Sequence, residues 1–598
     1  MSNIKTPHAA VVIWNYVNRL GAEDTDKSTL HDVEKVILST VSCISIKTAK
    51  SKGQPQGTFE LRLAPTKNWV SVLSPGSWLA ILMSQQKIEY SDLVETADPN
   101  KIKMLGRIES VRAHVTVNQE TGARSTEYIV QGSDWGGVFN TAIYVDPLIR
   151  DVGSNTFWGQ WKVIYEQHAL EAWSTGLPSP KKNMEVLLKL WGTDSNVVTN
   201  VNDALNSLEG IGSTATFEGI SPITLKSTTV LRFPTEVSRY FGFRQNSIAD
   251  IINLNYEGIV LSNNQRYVDP DNGSTIYYDQ YKKIENEAVG IIQPNTIFGT
   301  HTIWQLLIDN CNDTLNELIA DIRWNPKGKA ELALYRRVRP FVFREDFIGK
   351  NDVIDITARF SDVRTVSIPT DEVLAVDIGT NWRDKSNFTE VMPDQSLGDF
   401  IRPHAVKLQS QSFDEHAFSR EGFRPIIKST KYLAPTSELG FDPYGTAKWK
   451  NLLREWYFNT HLLLNGNIVF IGQNNYIQVG DNILFDESLI TSSHNTNVDT
   501  LLSSDKNPKI LAHVESVAHQ FTVSINGARN FITTVSFVRG IAVGDDRQPL
   551  NVSSIIEPAE GRVDKNASTM PPASDKNNRD ILGTSSDSDP DIETLDGN

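Results

Sequence analysis

Two stretches decide the reading of the chain: LGRIESVRAHVTV, Leu105–Val117, and LAHVESVAHQFTV, Leu511–Val523. Laid over one another at an offset of 406, they match at Leu105, Glu109, Ser110, Val111, Thr116 and Val117. A turn of the same composition follows each, Gly122-Ala123-Arg124 and Gly527-Ala528-Arg529, and then another strand-like stretch. Upstream, Pro75-Gly76-Ser77-Trp78-Leu79 resembles Val479-Gly480-Asp481-Asn482-Ile483, each turning into an apolar strand. Self-similarity at this separation predicts a duplicated unit. Period-two alternation places Glu109, Val111, Ala113, Val115 and Val117 on one face of the first strand. In the second, Glu515, Val517, His519, Phe521 and Val523 share a face. The opposite faces are mostly polar, so each copy is expected to be a half-buried strand entering a hairpin. Glu109, Val111, Val115, Val117, Glu515, Val517, Phe521 and Val523 are the expected core-facing set. Gly76, Gly122, Gly480 and Gly527 are the expected turns.

Working outward, the first 150 residues read mostly as strand. Val41–Lys47 alternates, and Phe59, Leu61 and Leu63 share a face in Thr58–Leu63. Ser74-Pro75-Gly76-Ser77 is a turn before the apolar strand Trp78–Met83. Residues 155–192 change to helical spacing, with Trp158, Trp161, Trp173 and Trp191 on apolar stripes that read as core rather than as a glycan-binding surface. A hairpin is expected around Val268–Ser274. A helix is expected from Thr302, with Gln305 in capping position and a stripe of Ile303, Leu306, Leu307, Leu315, Leu318 and Ile319. Strand Glu331–Tyr335 follows a turn at 324–328, strands dominate 353–425, a helix covers Ala447–Tyr457, and strand returns from 464 to 543.

The 598 residues suit about three to five domains. Hydrophobic residues make up 39%, enough for cores through most of the chain. Net charge is -15, and residues 545–598 hold 12 acids against 5 bases, with no Phe, Tyr or Trp. That segment is expected to be a disordered acidic tail. The remainder lacks the Lys/Arg clustering of a protein that wraps nucleic acid, though a channel that DNA merely passes needs none. Cys43 and Cys311 exclude a disulfide scaffold or a thiolate zinc cluster; one bridge between them is the alternative to the expected pair of unpaired buried thiols. No apolar run reaches the ~18 residues of a spanning helix, and Ala9–Trp14 is too short for a signal peptide. A soluble chain folded in a reducing cytosol is expected.

Motifs with chemical content are weak. Gly210-Ile211-Gly212-Ser213-Thr214-Ala215 meets a relaxed dinucleotide fingerprint but follows a helix-like stretch, so it reads as a loop. Gly132-Ser133-Asp134-Trp135-Gly136 puts its serine one place early for a nucleophile elbow. Asp269–Gly273 lacks calcium-loop spacing. His513 and His519 lie about 20 Å apart along a strand and cannot share a metal. Asp414-Glu415-His416, the tightest polar cluster, sits beside Ser419–Pro425, which reads as a solvated loop leading into a strand rather than as a metal site. No carboxylate pair or nucleophile–His set stands in a defensible context. No catalytic residue, cofactor or metal is therefore expected.

Taken in order, Gly57–Leu63, Pro75–Trp78, Gly106–Val111, Leu315–Asp321, Leu332–Phe341 and Gly472…Ile483 resemble the baseplate hub proteins of contractile-tailed bacteriophages, related to the hubs of type VI secretion and other contractile injection systems. The resemblance spans about 30–545. It implies an α+β, β-rich fold: two related antiparallel β-barrel domains with mixed α/β insertions. On that plan 1–150 is the first barrel, 151–225 a helical Trp-rich insertion and 226–350 a mixed α+β domain. Residues 351–545 are the second barrel, with a helical insertion near 446–460, and 546–598 the tail. It further implies a non-enzymatic homotrimer whose six barrels make a pseudo-hexameric ring in the virion tail, formed in the bacterial host cytoplasm. Implied partners are the central spike protein, the tail tube protein and other baseplate proteins, with DNA only passing through and no stable membrane insertion. A tail-associated cell-wall hydrolase and a glycan-binding tail-tip protein are the rival expectations.

Overall fold

The computed structural model describes residues 6–16, 33–95, 98–117, 124–140, 142–145, 233–243, 299–302, 304–305, 308, 316–324, 330–338, 364–383, 385–393, 412–413, 415–430, 463–473, 476–489, 509–524 and 526–543. The helices expected at 155–192 and 447–457, the hairpin at 265–278, the loop at 210–215, Gly122, Cys311 and the acidic tail lie outside these residues.

Strands dominate the described chain. In order they are β1 His8–Tyr16, β2 Val33–Leu38, β3 Cys43–Ser51, β4 Thr58–Leu63, β5 Trp78–Ser84, β6 Ile102–Val117 and β7 Arg124–Asp134. Then come β8 Ala142–Val145, β9 Gly299–Thr302, β10 Asn316–Trp324, β11 Ala330–Val338, β12 Thr365–Ser367 and β13 Val373–Thr380. The last are β14 Phe388–Pro393, β15 Ser412–Phe413, β16 Pro425–Thr430, β17 Leu464–Ile471, β18 Asn482–Asp486, β19 Lys509–Val523 and β20 Arg529–Val543. Thirteen of these form one sheet. Its path runs β13-β17-β20-β19-β3-β4-β7-β6-β5-β1-β2, with β18 on β19 and β12 on β18. Every pairing in it is antiparallel except β12–β18.

This sheet contains one five-stranded unit built twice. β3-β4-β7-β6-β5 recurs as β13-β17-β20-β19-β18 with matching registers. Ala80 faces Leu105 as Leu484 faces Leu511. Ile108 faces Gly132 as Val514 faces Phe537. Leu61 faces Val130 as Ile468 faces Val535. Ile46 faces Leu61 as Val376 faces Ile468. Two bulges coincide as well, between Ile108 and Ser110 as between Val514 and Ser516, and between Cys43 and Ser45 as between Val373 and Ala375. A bulge inserts one residue at one register position, so two shared bulges are far more specific than shared alternation. The turns agree too. Gly76 and Gly480 have φ of +90° and +83°. Their N–H groups donate to the carbonyls of Ile108 and Val514, which are equivalent residues. Only glycine holds that backbone without steric cost.

The two units bury separate cores. The first gathers Val11, Ile13, Ile46, Leu61, Leu63, Leu79, Ile81 and Val130, and Cys43 is buried among them. Burial pushes the Cys43 thiol up to about 12. The second gathers Ile468, Phe470, Ile483, Phe485, Ile510, Val514, Val535 and Phe537. The unit cores are crossed at one place: Phe521 and Phe531, from the β19–β20 hairpin of the second repeat, belong to the first core.

Two expectations need correction. Leu318 and Ile319 lie on strand β10, not on a helix. Leu318, Ile319 and Ala320 are consecutive and all buried, and a run buried on both faces shows no periodicity to separate strand from helix. The capping reading of Thr302 holds locally, since its Oγ1 accepts the Gln305 N–H at 3.1 Å. Ser419–Glu421, expected as the start of a loop, instead close a helix over Glu415–Glu421 that ends at Gly422, whose φ is +75°.

Candidate functional site

The place where the repeats meet concentrates the buried charge of the described chain. After its bulge, β19 leaves the second unit and pairs with β3 of the first, from Ser516 opposite Ser51 to Thr522 opposite Ser45. Phe521 stands opposite Ile46, and both are fully buried. Apolar cross-strand packing of this kind holds such a seam together.

A chain of ionic contacts closes its upper end. The Lys52 ammonium contacts Glu515, at the bulge, and Glu317 at 3.2 Å. Glu317 in turn meets His513 Nε2 at 3.1 Å, and His513 Nδ1 meets Asn482 Oδ1 at 3.0 Å. Glu317 belongs to β10, so the β10–β11 hairpin is fastened across both repeats.

Below it, Lys50 donates to the buried Asp134 carboxylate at 2.5 Å. Burial still pushes Asp134 above the ordinary carboxylate range, against the pull of Lys50. Asp321, also from β10, is pushed up to about 6, by burial first, with Asp134 and Asp481 adding to it. The buried Lys103 ammonium is lowered to about 7 by desolvation, and His519 is held well below its usual value for the same reason. Tyr476 is raised by burial and the surrounding carboxylates. These groups line a cavity of about 30 Å³ with Thr48, Met104 and Trp135. That is room for about one water.

The arrangement locks elements together: Lys50 and Lys52 face carboxylates, and Lys103 donates to the Asn100 and Gln473 carbonyls at 2.8 and 3.3 Å. His519 bonds Thr533 Oγ1 at 2.9 Å, so it and His513 serve different networks. Among the described residues no group of three or more His, Cys, Asp or Glu could hold a metal. Asp134 of the rejected elbow motif is the buried partner of Lys50. Lys50, Lys52, Lys103, Asp134, Glu317 and Asp321 were not singled out from the sequence. A usable signal was there: β3 alternation aims Ile46, Thr48 and Lys50 to one side, and an inward lysine demands an acid.

The expected core set divides. Val517 and Phe521 are buried, Val111 and Val523 are partly buried against the first core, and Glu515 joins the ionic chain. Glu109 accepts the Ser133 hydroxyl at 2.5 Å. Val115 and Val117 are a correction: each is 54% exposed. The second half of β6 pairs with β7 alone, so among the described residues no layer lies over that face. Gly76, Gly480 and Gly527 all have positive φ.

No protein-family profile matches the sequence, and no curated protein matches it either. The structure is similar to the tail protein from Neisseria meningitidis MC58, at 9% identity and TM-score 0.37, over 89% of this chain and 96% of that one. It is similar to the 43 kDa tail protein of prophage MuSo2 from Shewanella oneidensis, at 10% identity and TM-score 0.37, over 89% and 98%. A chain of the Francisella PdpA–VgrG complex matches at 10% identity and TM-score 0.30, over 90% of this chain and 54% of that one. Likeness at this level assigns neither a family nor a function.

Proposed function

We propose that this chain is a structural baseplate hub of a contractile phage tail, working by shape and interface rather than by catalysis. The observation that carries the reading is the duplication: one five-stranded unit, built twice with matching registers and two matching bulges, joined through a single seam. A chain with two equivalent units becomes sixfold in shape when three copies assemble, which suits an adaptor between a hexameric tube and a trimeric spike. The sequence resemblance to hub proteins points the same way. On this reading the two units are the β-barrels of 1–150 and 351–545, and the ring surrounds a channel through which DNA passes. The remaining elements meet the spike and other baseplate proteins.

The test is the mass and shape of the purified chain. Mass photometry should give about three times 66.8 kDa, and electron microscopy a ring with a central hole. A particle that stays monomeric when mixed with tail tube and spike proteins sinks the reading.

A further inference from the structure

The seam within the chain has an unmade counterpart. β19 is paired on both sides: its first half lies between β20 and β18, and its second half between β20 and β3. Its equivalent, β6, has β7 on one side and β5 beside its first half. Among the described residues nothing pairs with the outer edge of Ser110–Thr116. The missing neighbour would be the second-repeat equivalent of β3, which is β13. In this chain β13 stands at the far end of the sheet, paired only with β17.

We propose that β6 of one copy pairs with β13 of a second copy of this chain, antiparallel, in the register of the β19–β3 seam. The register transfers residue by residue. Phe521 opposite Ile46 becomes Val115 opposite Val376, because Phe521 is equivalent to Val115 and Ile46 to Val376. His519 opposite Thr48 becomes Ala113 opposite Ile378, and Gln520 opposite Lys47 becomes His114 opposite Asp377. The inference deepens the hub reading and rests on it only for closure at three copies.

Four observations favour a second copy over any other occupant. The two free edges are complementary by construction, since their equivalents already pair inside the chain. Each edge carries exposed apolar side chains: Val115 and Val117 on β6, Leu374 on β13 and Trp382 just beyond it, at 54–60% exposure. The β6–β7 hairpin that carries Val115 lacks the foreign core that receives Phe521 and Phe531. Such a core stands behind β13, where Val373, Val376 and Ile378 are only partly buried against the second unit. The charges also agree, with Arg112 on one edge and Asp377 on the other; His114, opposite Asp377 in this register, already meets Glu127 of its own chain at 3.3 Å. An open strand edge is a template for another strand. Head-to-tail use of two different edges makes a ring when the rotation closes and a filament when it does not.

The experiment is a disulfide scan of the full chain in the background of its two cysteines, Cys43 and Cys311. The variant carrying Val115→Cys and Val376→Cys is oxidised with copper phenanthroline and run on a denaturing gel. Directly opposed residues meet the Cα spacing of a disulfide, and residues two places out of register do not. Covalent species up to the trimer are expected. Equal mixtures of the two single variants should stop at the dimer. The slipped pair Val115→Cys with Ile378→Cys should cross-link at least fivefold less. As a second readout, His114→Glu should weaken assembly about fivefold by setting like charges opposite each other, and Asp377→Lys in the same chain should restore it.

A trimer by mass photometry that does not cross-link overturns the edge pairing and leaves the hub reading standing. A slipped pair that cross-links as well as the direct pair overturns the register. A ladder running past the trimer supports the pairing while overturning the closed ring of the hub. A chain that stays monomeric even with tail tube and spike proteins present overturns both.

Discussion

The β19–β20 hairpin and the β6–β7 hairpin are the same object in two situations. Each runs through a bulge with a glutamate at it, and each continues beyond the body of its own repeat. The tip of β19–β20 is driven into the first core and carries Phe521 opposite Phe531, both fully buried. The tip of β6–β7 carries Val115 opposite Thr126 and stands exposed. The bulge glutamates differ in the same sense. Glu515 is held by Lys52 in a network reaching His513, while among the described residues Glu109 takes only a serine hydroxyl. At the position of His513 the first repeat has Arg107, which lies over the Trp78 ring and donates to the Gly76 carbonyl. A joint made while the chain folds carries large apolar groups and buried ions. A joint that must wait for another copy has to be tolerable in water, and smaller β-branched residues there limit the exposed apolar area.

The contrast can be broken by equivalent substitutions. Phe521→Ala should cost the chain about 3–5 kcal/mol, since it opens a cavity between the repeats. Val115→Ala, at the equivalent position, should change thermal stability of the unassembled chain by less than about 0.5 kcal/mol. Equal losses in the two melting curves would show that Val115 is covered within a single chain.

The ionic half of the seam gives the next effect. Asp134→Ala leaves the Lys50 ammonium buried without its partner and should cost about 3 kcal/mol, measured by denaturant midpoint. Removing both ends with Lys50→Met and Asp134→Leu should recover much of that loss, because two buried charges are also desolvated together. Glu109→Ala, in the open repeat, should cost about 1 kcal/mol, since it removes a single hydrogen bond.

Asp321 acts in the opposite direction. Its folded pKa, about 6, lies above its ordinary value, so its contribution is present below about pH 4 and is lost as pH rises through about 6. Asp321→Asn should therefore raise stability by about 2 kcal/mol at pH 8, with the gain fading toward pH 4. A melting-temperature series across that window reads it. A constant difference at every pH would assign the effect to packing instead.

The turn glycines should have equal effects in both repeats. Gly76→Ala and Gly480→Ala each force a left-handed backbone on a residue with a Cβ, at about 1–2 kcal/mol. A large inequality between them would mean that the two turns bear different loads.

The duplication was legible in the sequence because strand alternation and turn glycines are local. Phe59, Leu61 and Leu63 alternate, and all three are buried on one face of β4. Gly76 and Gly480 stand before apolar strands, and both adopt the positive φ that their position requires. The β10 strand is illegible for an equally local reason: Leu318-Ile319-Ala320 is buried from both sides, which erases the period that distinguishes strand from helix. The seam network could not be read this way. Lys52, Glu317 and Glu515 come from three separated segments, and only long-range pairing brings them together.

The amino-acid sequence by itself determined that there are two alike units, where their hairpins turn and which side of each strand is apolar. All of these follow from side-chain chemistry within a few residues of the position concerned. Only the tertiary structure decided which of the two alike strands would be covered. Val115 and Phe521 hold the same place in the same pattern, yet one is exposed and the other fully buried. Alternation specifies a face, whereas burial depends on what lies opposite that face. For β19 that is β3 of the same chain. For β6 the strand equivalent to β3 is β13, at the other end of the sheet.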